Sequence, residues 1–159
     1  MGDCYSVELR VKVNPEKSTV SNLQKLLRQW MKEQAERTDV QPRVDWSLST
    51  YKEAGIRPDS FAGICKILLA FHQGDCRHVK DDEGFDVFVS GFNASYGWYS
   101  VMVNAFGKMA WALEEGSRLE IDRDEGHVVL ETERDPDTGN MEVWENHHPL
   151  RETYKEFKG

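Results

Sequence analysis

The stretch FDVFVSGFNASYGWYSVMVNAFGKMAWALEEGS, residues 85–117, decides the fold of this chain. It opens as a strand, Phe85–Phe92, with Phe85, Val87 and Val89 on one side and Phe88 and Phe92 on the other. Apolar residues on both sides describe a central strand covered twice, interrupted by the polar Asp86 and Ser90. Asn93 or Ser95 then offers a side-chain oxygen to the free N–H groups of a following helix, the usual reason for such residues at an N-cap. From Trp98 the apolar positions are 98, 101, 102, 105, 106, 109, 112 and 113. That is the i, i+3, i+4, i+7 series of one helical face. Gly116 is placed to end the helix in a left-handed conformation.

Trp111 departs from this face. At 100° per residue it projects roughly 200° from the middle of the apolar stripe, beside Ser100, Asn104 and Gly107. Either another segment covers it, the C-terminal tail for example, or it is an exposed aromatic anchor of the kind partner surfaces use.

Upstream, Cys4–Val13 alternates strictly. Tyr5, Val7, Leu9, Val11 and Val13 oppose Ser6, Glu8, Arg10 and Lys12, which describes a strand with one buried and one wet face. Asn14-Pro15 breaks it, and Ser18 caps a helix running to about Arg37, with Leu23, Leu26, Leu27 and Trp30 inward. Arg43–Thr50 carries a short alternating pattern consistent with a strand. Asp59 or Ser60 starts a second helix with Phe61, Ile64, Cys65, Leu68, Leu69 and His72 on one face. The polar, glycine-containing run 73–84 is expected to be a loop.

Downstream come three short strands: Arg118–Asp122, His127–Glu133 and Met141–Glu145. The turns Arg123–Gly126 and Asp135–Asn140 separate them. The tail from Pro149 to Phe157 has the spacing of one more short helix. This order predicts a single α+β domain spanning 1–159: a mainly antiparallel sheet with three helices packed on it, ending in a β-meander. A split βαβ core of the ferredoxin-like kind, elaborated by the second helix, is one topology that fits.

The formal charge is −8 over 159 residues, and its location is more informative than its size. Residues 1–113 carry 14 basic and 14 acidic side chains. Residues 114–145 carry 12 acidic residues against Arg118, Arg123 and Arg134, a net charge of −9. Direct binding of nucleic acid through this segment is disfavoured, because phosphates repel carboxylates. No run reaches the roughly 18 apolar residues a membrane span requires, and MGDCYSVEL lacks a secretory core, so a cytosolic location is expected. Cys4, Cys65 and Cys76 are three in number with no CxxC, in keeping with free thiols in a reducing compartment.

Candidates for chemistry are sparse. His72, Cys76 and His78, with Asp75 or a water as a fourth ligand, have a spacing that zinc could use, but His72 lies on an apolar stripe and a packed histidine explains it better. Asp122-x-Asp124-x-Gly126 and Asp135-x-Asp137-x-Gly139 echo calcium loops without the bidentate glutamate, so they read as hairpin turns. Ser95 lies outside any G-x-S-x-G, and no phosphate-binding glycine loop occurs. His127, His147 and His148 pair with no nucleophile. No catalytic residue, cofactor or metal is assigned.

The acidic meander has the most physical content. With Leu119, Ile121, Val128, Leu130, Met141 and Val143 inward, the side chains of Glu120, Asp122, Glu131, Glu133 and Glu142 point out. Same-face residues lie roughly 6.8 Å apart along a strand and neighbouring strands roughly 4.8 Å apart. Such an array steers cationic partners. The expected function is a non-catalytic intracellular inhibitor or modulator that presents this face to a basic, nucleic-acid-binding protein, with Trp111 or Trp144 as anchors. In size and charge alone the chain is similar to small acidic anti-defence inhibitors that mimic DNA. The alternative is a small enzyme or ligand-binding domain with its pocket between Asn93–Trp98 and His72–His78.

Overall fold

The computed structural model describes residues 2–14, 22, 24–26, 28–29, 32, 60–68, 76–95, 98–124, 126–146 and 148–149. Its strands are β1 (Gly2–Val11), β2 (Cys76–Lys80), β3 (Asp86–Ser95), β4 (Arg118–Arg123), β5 (Gly126–Arg134), β6 (Met141–Glu145) and β7 (His148–Pro149). The helices are α1 (Phe61–Leu68) and α2 (Trp98–Met109), the latter running into a 3-10 turn at Ala110–Ala112. Residues 22, 24–26, 28–29 and 32 are also helical, within the first helix the sequence predicts. The expected strand at Arg43–Thr50 and the expected helix over residues 150–157 lie outside the described residues.

All seven strands form one sheet in the order β2-β3-β1-β4-β5-β6-β7. Every neighbouring pair is antiparallel. Since β3 runs against both β1 and β2, β1 and β2 are parallel with β3 inserted between them. In the same way β3 and β4 are parallel with β1 between them. Two interleaved βαβ units of this kind, in the order β2-β3-β1-β4, are the split βαβ core of the ferredoxin-like arrangement. The meander β5-β6-β7 extends that core from β4, so the α+β architecture expected from the sequence is the one observed.

Alternation sorts the sheet into two faces. Tyr5, Val7, Leu9 and Val11 of β1, Phe88 and Phe92 of β3, Leu119 and Ile121 of β4, Leu130 of β5 and Val143 of β6 are all buried. They join Leu26, Ile64 and Cys65 and, from α2, Met102, Ala105, Phe106 and Met109 in one core. The described helices therefore pack on a single face of the sheet. Each fully buried Leu or Phe stabilises this layer by about 1.5–3 kcal/mol relative to exposure.

Several local expectations need correction. β3 does not end at Phe92 but continues to Ser95, with Asn93 opposite Cys4 and Ser95 opposite Gly2. Neither is therefore an N-cap of α2: strand pairing with β1 extends the ladder past the point where local propensity suggested a turn. Nor is β3 covered on both sides, since Val89 and Gly91 are exposed on its second face. Run 73–84 is not all loop, because residues 76–80 pair with β3 as an edge strand. Pro149 belongs to β7 rather than to a helix, pairing with Trp144.

The end of α2 also differs. After Met109 the chain tightens, and Leu113 is extended and bridges Val13. Gly116 does take a positive φ of 88°, but in the turn before β4, where its N–H donates to the Thr132 carbonyl at 3.0 Å. Elsewhere Ser60 Oγ caps α1 by accepting from Gly63 N–H at 3.0 Å, as the sequence implies.

Candidate functional site

The register decides whether the acidic residues act as a group. Buried Leu119, Ile121, Leu130, Thr132 and Val143 point β4–β6 inward on alternate positions. Glu120 and Asp122 of β4, Glu131 and Glu133 of β5, and Glu142 and Trp144 of β6 therefore share the face opposite the helices. Glu133 and Glu142 are direct cross-strand partners. Glu120 faces Val129 on one side and, on the other, Glu8 of β1. Glu8 is the residue that sequence reasoning missed. Its alternation already pointed it outward, but nothing local shows that β1 neighbours β4.

Like charges directly opposite one another destabilise a sheet. Two such pairs, Glu8–Glu120 and Glu133–Glu142, sit on this one surface. On the outer positions of β4–β6 the described cationic groups are Arg118, opposite Glu131, and His127. The His127 Nε2 lies 3.0 Å from Glu120 Oε1 and its Nδ1 lies 3.9 Å from Asp122 Oδ1. His127 carries charge only when protonated.

Other cations near these strands are turned elsewhere. Arg123 ends β4 on the helix face, with its guanidinium 4.0 Å from the centre of the Tyr99 ring. Tyr99 in turn donates to Glu145 Oε1 at 2.7 Å. Burial, then the bond to Glu145, holds the Tyr99 hydroxyl well above its ordinary range. Arg10, on the outer face of β1, is drawn to the β2–β3 hairpin. Its Nε donates to Asp81 Oδ2 at 2.8 Å, its NH2 to Glu83 Oε2 at 3.1 Å, and its guanidinium stacks 3.7 Å from the centre of the Phe85 ring. Lys12 Nζ donates to the Glu83 carbonyl at 3.4 Å in the same corner. The outer face is thus divided: an acidic half on β4–β6, and an internally paired half at β2–β3.

The seven residues named from sequence do not all meet. Trp144 is on the acidic face, half-buried beside Glu131, its Cα partner, and its buried Nε1 has no hydrogen-bond acceptor among the described residues. Trp111 is on the other side of the sheet, half-buried against the core. The 3-10 turn over Ala110–Ala112 rotates it away from the angle an unbroken α-helix implies, so it is no anchor for the acidic surface.

Of the pocket alternative, residues 72–75 and 96–97 lie outside the described residues, and two of its described members, His78 and Asn93, lie on opposite faces of the sheet. His78 stacks on Phe88 on the helix face, ring centres 4.3 Å apart, and its Nε2 lies 2.8 Å from Asp86 Oδ1. Asn93 is on the outer face, where its Oδ1 accepts from the Cys4 thiol at 2.8 Å. His72 and Tyr96 lie outside the described residues. Cys65 is near Asp86, but burial, followed by that carboxylate, keeps its thiol well above the ordinary range and therefore protonated. Among the described residues no group of three His, Cys, Asp or Glu is placed to hold a metal ion. The loop Asp135–Gly139 is an Asx turn: Asp135 Oδ1 accepts from Asp137 N–H at 2.8 Å, and Gly139 takes a φ of 74°.

The described residues form an α+β domain with helices on one face of the sheet and a half-acidic opposite face. No protein family, curated protein or solved structure matches it. None of the described helices is long and apolar enough to cross a membrane.

Proposed function

We propose that this protein is a non-catalytic, cytosolic binding protein that inhibits or modulates a basic, nucleic-acid-binding partner through the outer face of β4–β6. One observation carries the reading: Glu8, Glu120, Asp122, Glu131, Glu133 and Glu142 share a surface that contains two like-charge cross-strand pairs. A surface serving only solubility gains nothing from placing carboxylates opposite each other, whereas a cationic groove removes that repulsion on docking. Carboxylates roughly 5–7 Å apart in two directions present a charged lattice of the kind a Lys/Arg-rich groove evolved to hold against phosphates. Trp144 supplies an aromatic anchor beside Glu131. The type of inhibitor is that of a DNA mimic in an anti-defence role.

The test is affinity capture from extracts of the native host, with and without added duplex DNA. Bait is the native chain or the variant Glu120→Lys/Asp122→Lys/Glu131→Lys/Glu133→Lys, with folding confirmed by far-UV circular dichroism. The native chain is expected to retain DNA-binding proteins that duplex DNA displaces and that about 1 M salt releases, where the screening length is about 3 Å. Equal recovery by the variant retires the reading.

A further inference from the structure

His127 sits inside the acidic face of β4–β6 rather than at its margin. It lies near the start of β5 with its Cα opposite Asp122. Its imidazole reaches Glu120 Oε1 at 3.0 Å through Nε2 and Asp122 Oδ1 at 3.9 Å through Nδ1, and the side chain is 51% exposed. The ring is thus set between two carboxylates that the proposed docking surface uses. Histidine is the side chain whose ordinary change of charge falls between about pH 5 and pH 8.

Among the described residues, the charges that face this ring are negative. β4 supplies Glu120 and Asp122, and behind them on β1 stand Glu8, opposite Glu120, and the uncharged Ser6, opposite Asp122. Along β5 Glu131 follows on the same side, and Asp124 is exposed in the hairpin turn. On the far side of β5 the described neighbour is Asn146, whose Oδ1 accepts from Val129 N–H at 2.9 Å. Arg123 is turned to the Tyr99 ring on the helix face, and Arg118 lies at the other end of β4, opposite Glu131.

A neutral imidazole donates one N–H and leaves both carboxylates charged, whereas an imidazolium donates from both nitrogens and offsets their charge. The imidazolium then holds the place between Glu120 and Asp122 that a partner's lysine or arginine would take. It also doubles the described positive charge on the outer positions of β4–β6, where Arg118 is the fixed cation. As a brace for the hairpin, so exposed an ion pair contributes little. As a conditional charge it opposes every cation that approaches the two carboxylates.

We infer that protonation of His127 releases the basic partner from the acidic face, so that docking weakens as pH falls from about 7.5 to about 5.5. The inference rests on the reading of β4–β6 as a docking surface and adds the regulation of that surface. The sign follows from charge: aspartate, glutamate and arginine ordinarily keep theirs across this window, so the histidine proton is the change that matters. Linkage makes the effect reciprocal, a docked cation disfavouring the imidazolium by the same factor.

The experiment uses the full chain, labelled with nitrogen-15, and a synthetic peptide of about nine arginines, charged at every pH used. Amide shifts of residues 118–145 locate the peptide and report its affinity at about pH 7.5 and about pH 5.5, at one low ionic strength. The native chain is expected to bind about fivefold more weakly at the lower pH. His127→Gln is expected to hold the tighter value at both pH values, which separates His127 from the other histidines. His127→Lys, cationic throughout, is expected to hold the weaker value at both, and it decides the matter should His127→Gln not fold. The inference is overturned if the native chain binds equally at the two pH values, or if either folded variant keeps the native difference. Absence of peptide shifts on β4–β6 of the native chain at the higher pH overturns the docking surface itself, and the inference with it, so the two failures are read from different results.

Discussion

Glu8 of β1 and Glu120 of β4 are direct cross-strand neighbours on the exposed face of the sheet. Their Cα atoms are therefore about 4.5–5.5 Å apart, and neither carboxylate has a lysine or arginine ion-pair partner among the described residues. The pair is a local cost to stability on the outer face of the sheet.

Replacing Glu8 by Gln removes that repulsion. Stability is expected to rise by about 0.2–1 kcal/mol at low ionic strength, and the gain should shrink as salt screens the pair. Urea denaturation at two salt concentrations measures it. A loss of stability at low salt contradicts the electrostatic account of this face.

A buried polar knot ties the turn at 114–117, just before β4, to β5 and to the residue after β1. Thr132 Oγ1 accepts from Ser117 N–H and donates to the Glu114 carbonyl, each at 3.0 Å, while Ser117 Oγ accepts from Lys12 N–H at 3.3 Å. Thr132→Val keeps the shape but removes both of the Thr132 bonds, leaving Ser117 N–H a long 3.4 Å contact to the Glu114 carbonyl while Ser117 Oγ still donates to that carbonyl at 2.8 Å, at a cost of about 0.5–1.5 kcal/mol. Thr132→Ser should recover most of it. Chemical denaturation of the two variants separates hydrogen bonding from packing.

The corner around Arg10 makes stability sensitive to acid. Partial desolvation pulls the Asp81 carboxyl up, but bonds from Phe85 N–H, Arg10 and Glu83 N–H outweigh it and hold the group below its ordinary value. A carboxylate depressed on folding adds stability above its unfolded pKa, about 3.9, and that contribution is lost as pH falls below it. Arg10→Leu should therefore flatten the fall in melting temperature between about pH 5 and pH 2. The same variant also loses stacking on Phe85, worth about 0.5–1 kcal/mol near a surface.

At the other extreme of pH, Tyr99 contributes. Its hydroxyl is raised by burial and by the bond to Glu145. A neutral acid raised on folding contributes stability below its unfolded pKa, about 10, and loses it as pH rises further. Spectrophotometric titration should show a tyrosine ionising well above the ordinary range. Tyr99→Phe should remove that late step and soften the alkaline loss of stability.

Much of the architecture follows from local pattern. The strict alternation of residues 5–11 announced β1 and its wet face, and the spacing of Met102, Ala105, Phe106 and Met109 announced α2, because a single buried face imposes its own period on each element. The outward direction of Glu120, Asp122, Glu131, Glu133 and Glu142 followed for the same reason. What misled were places where pairing overrode local signals. Asn93 and Ser95 resemble caps but continue β3 because β1 pairs with them. β2 was hidden in a polar run because an edge strand buries little and so shows weak hydrophobic periodicity. The turn residues Asp81–Gly84, with Asp81 Oδ1 accepting from Glu83 and Phe85 N–H, were the available signal for that hairpin.

By itself the sequence determined the class of fold, the order of most elements and the segment in which the excess negative charge resides. Only the tertiary structure decided which strands are neighbours. That choice brings Glu8 to Glu120, withdraws Arg10 to Asp81 and Arg123 to Tyr99, and sends Trp111 to the far side of the sheet from Trp144. The reason is physical: side-chain direction is set by each residue's own backbone period, whereas the proximity of charges on different strands depends on long-range pairing, which no local pattern encodes.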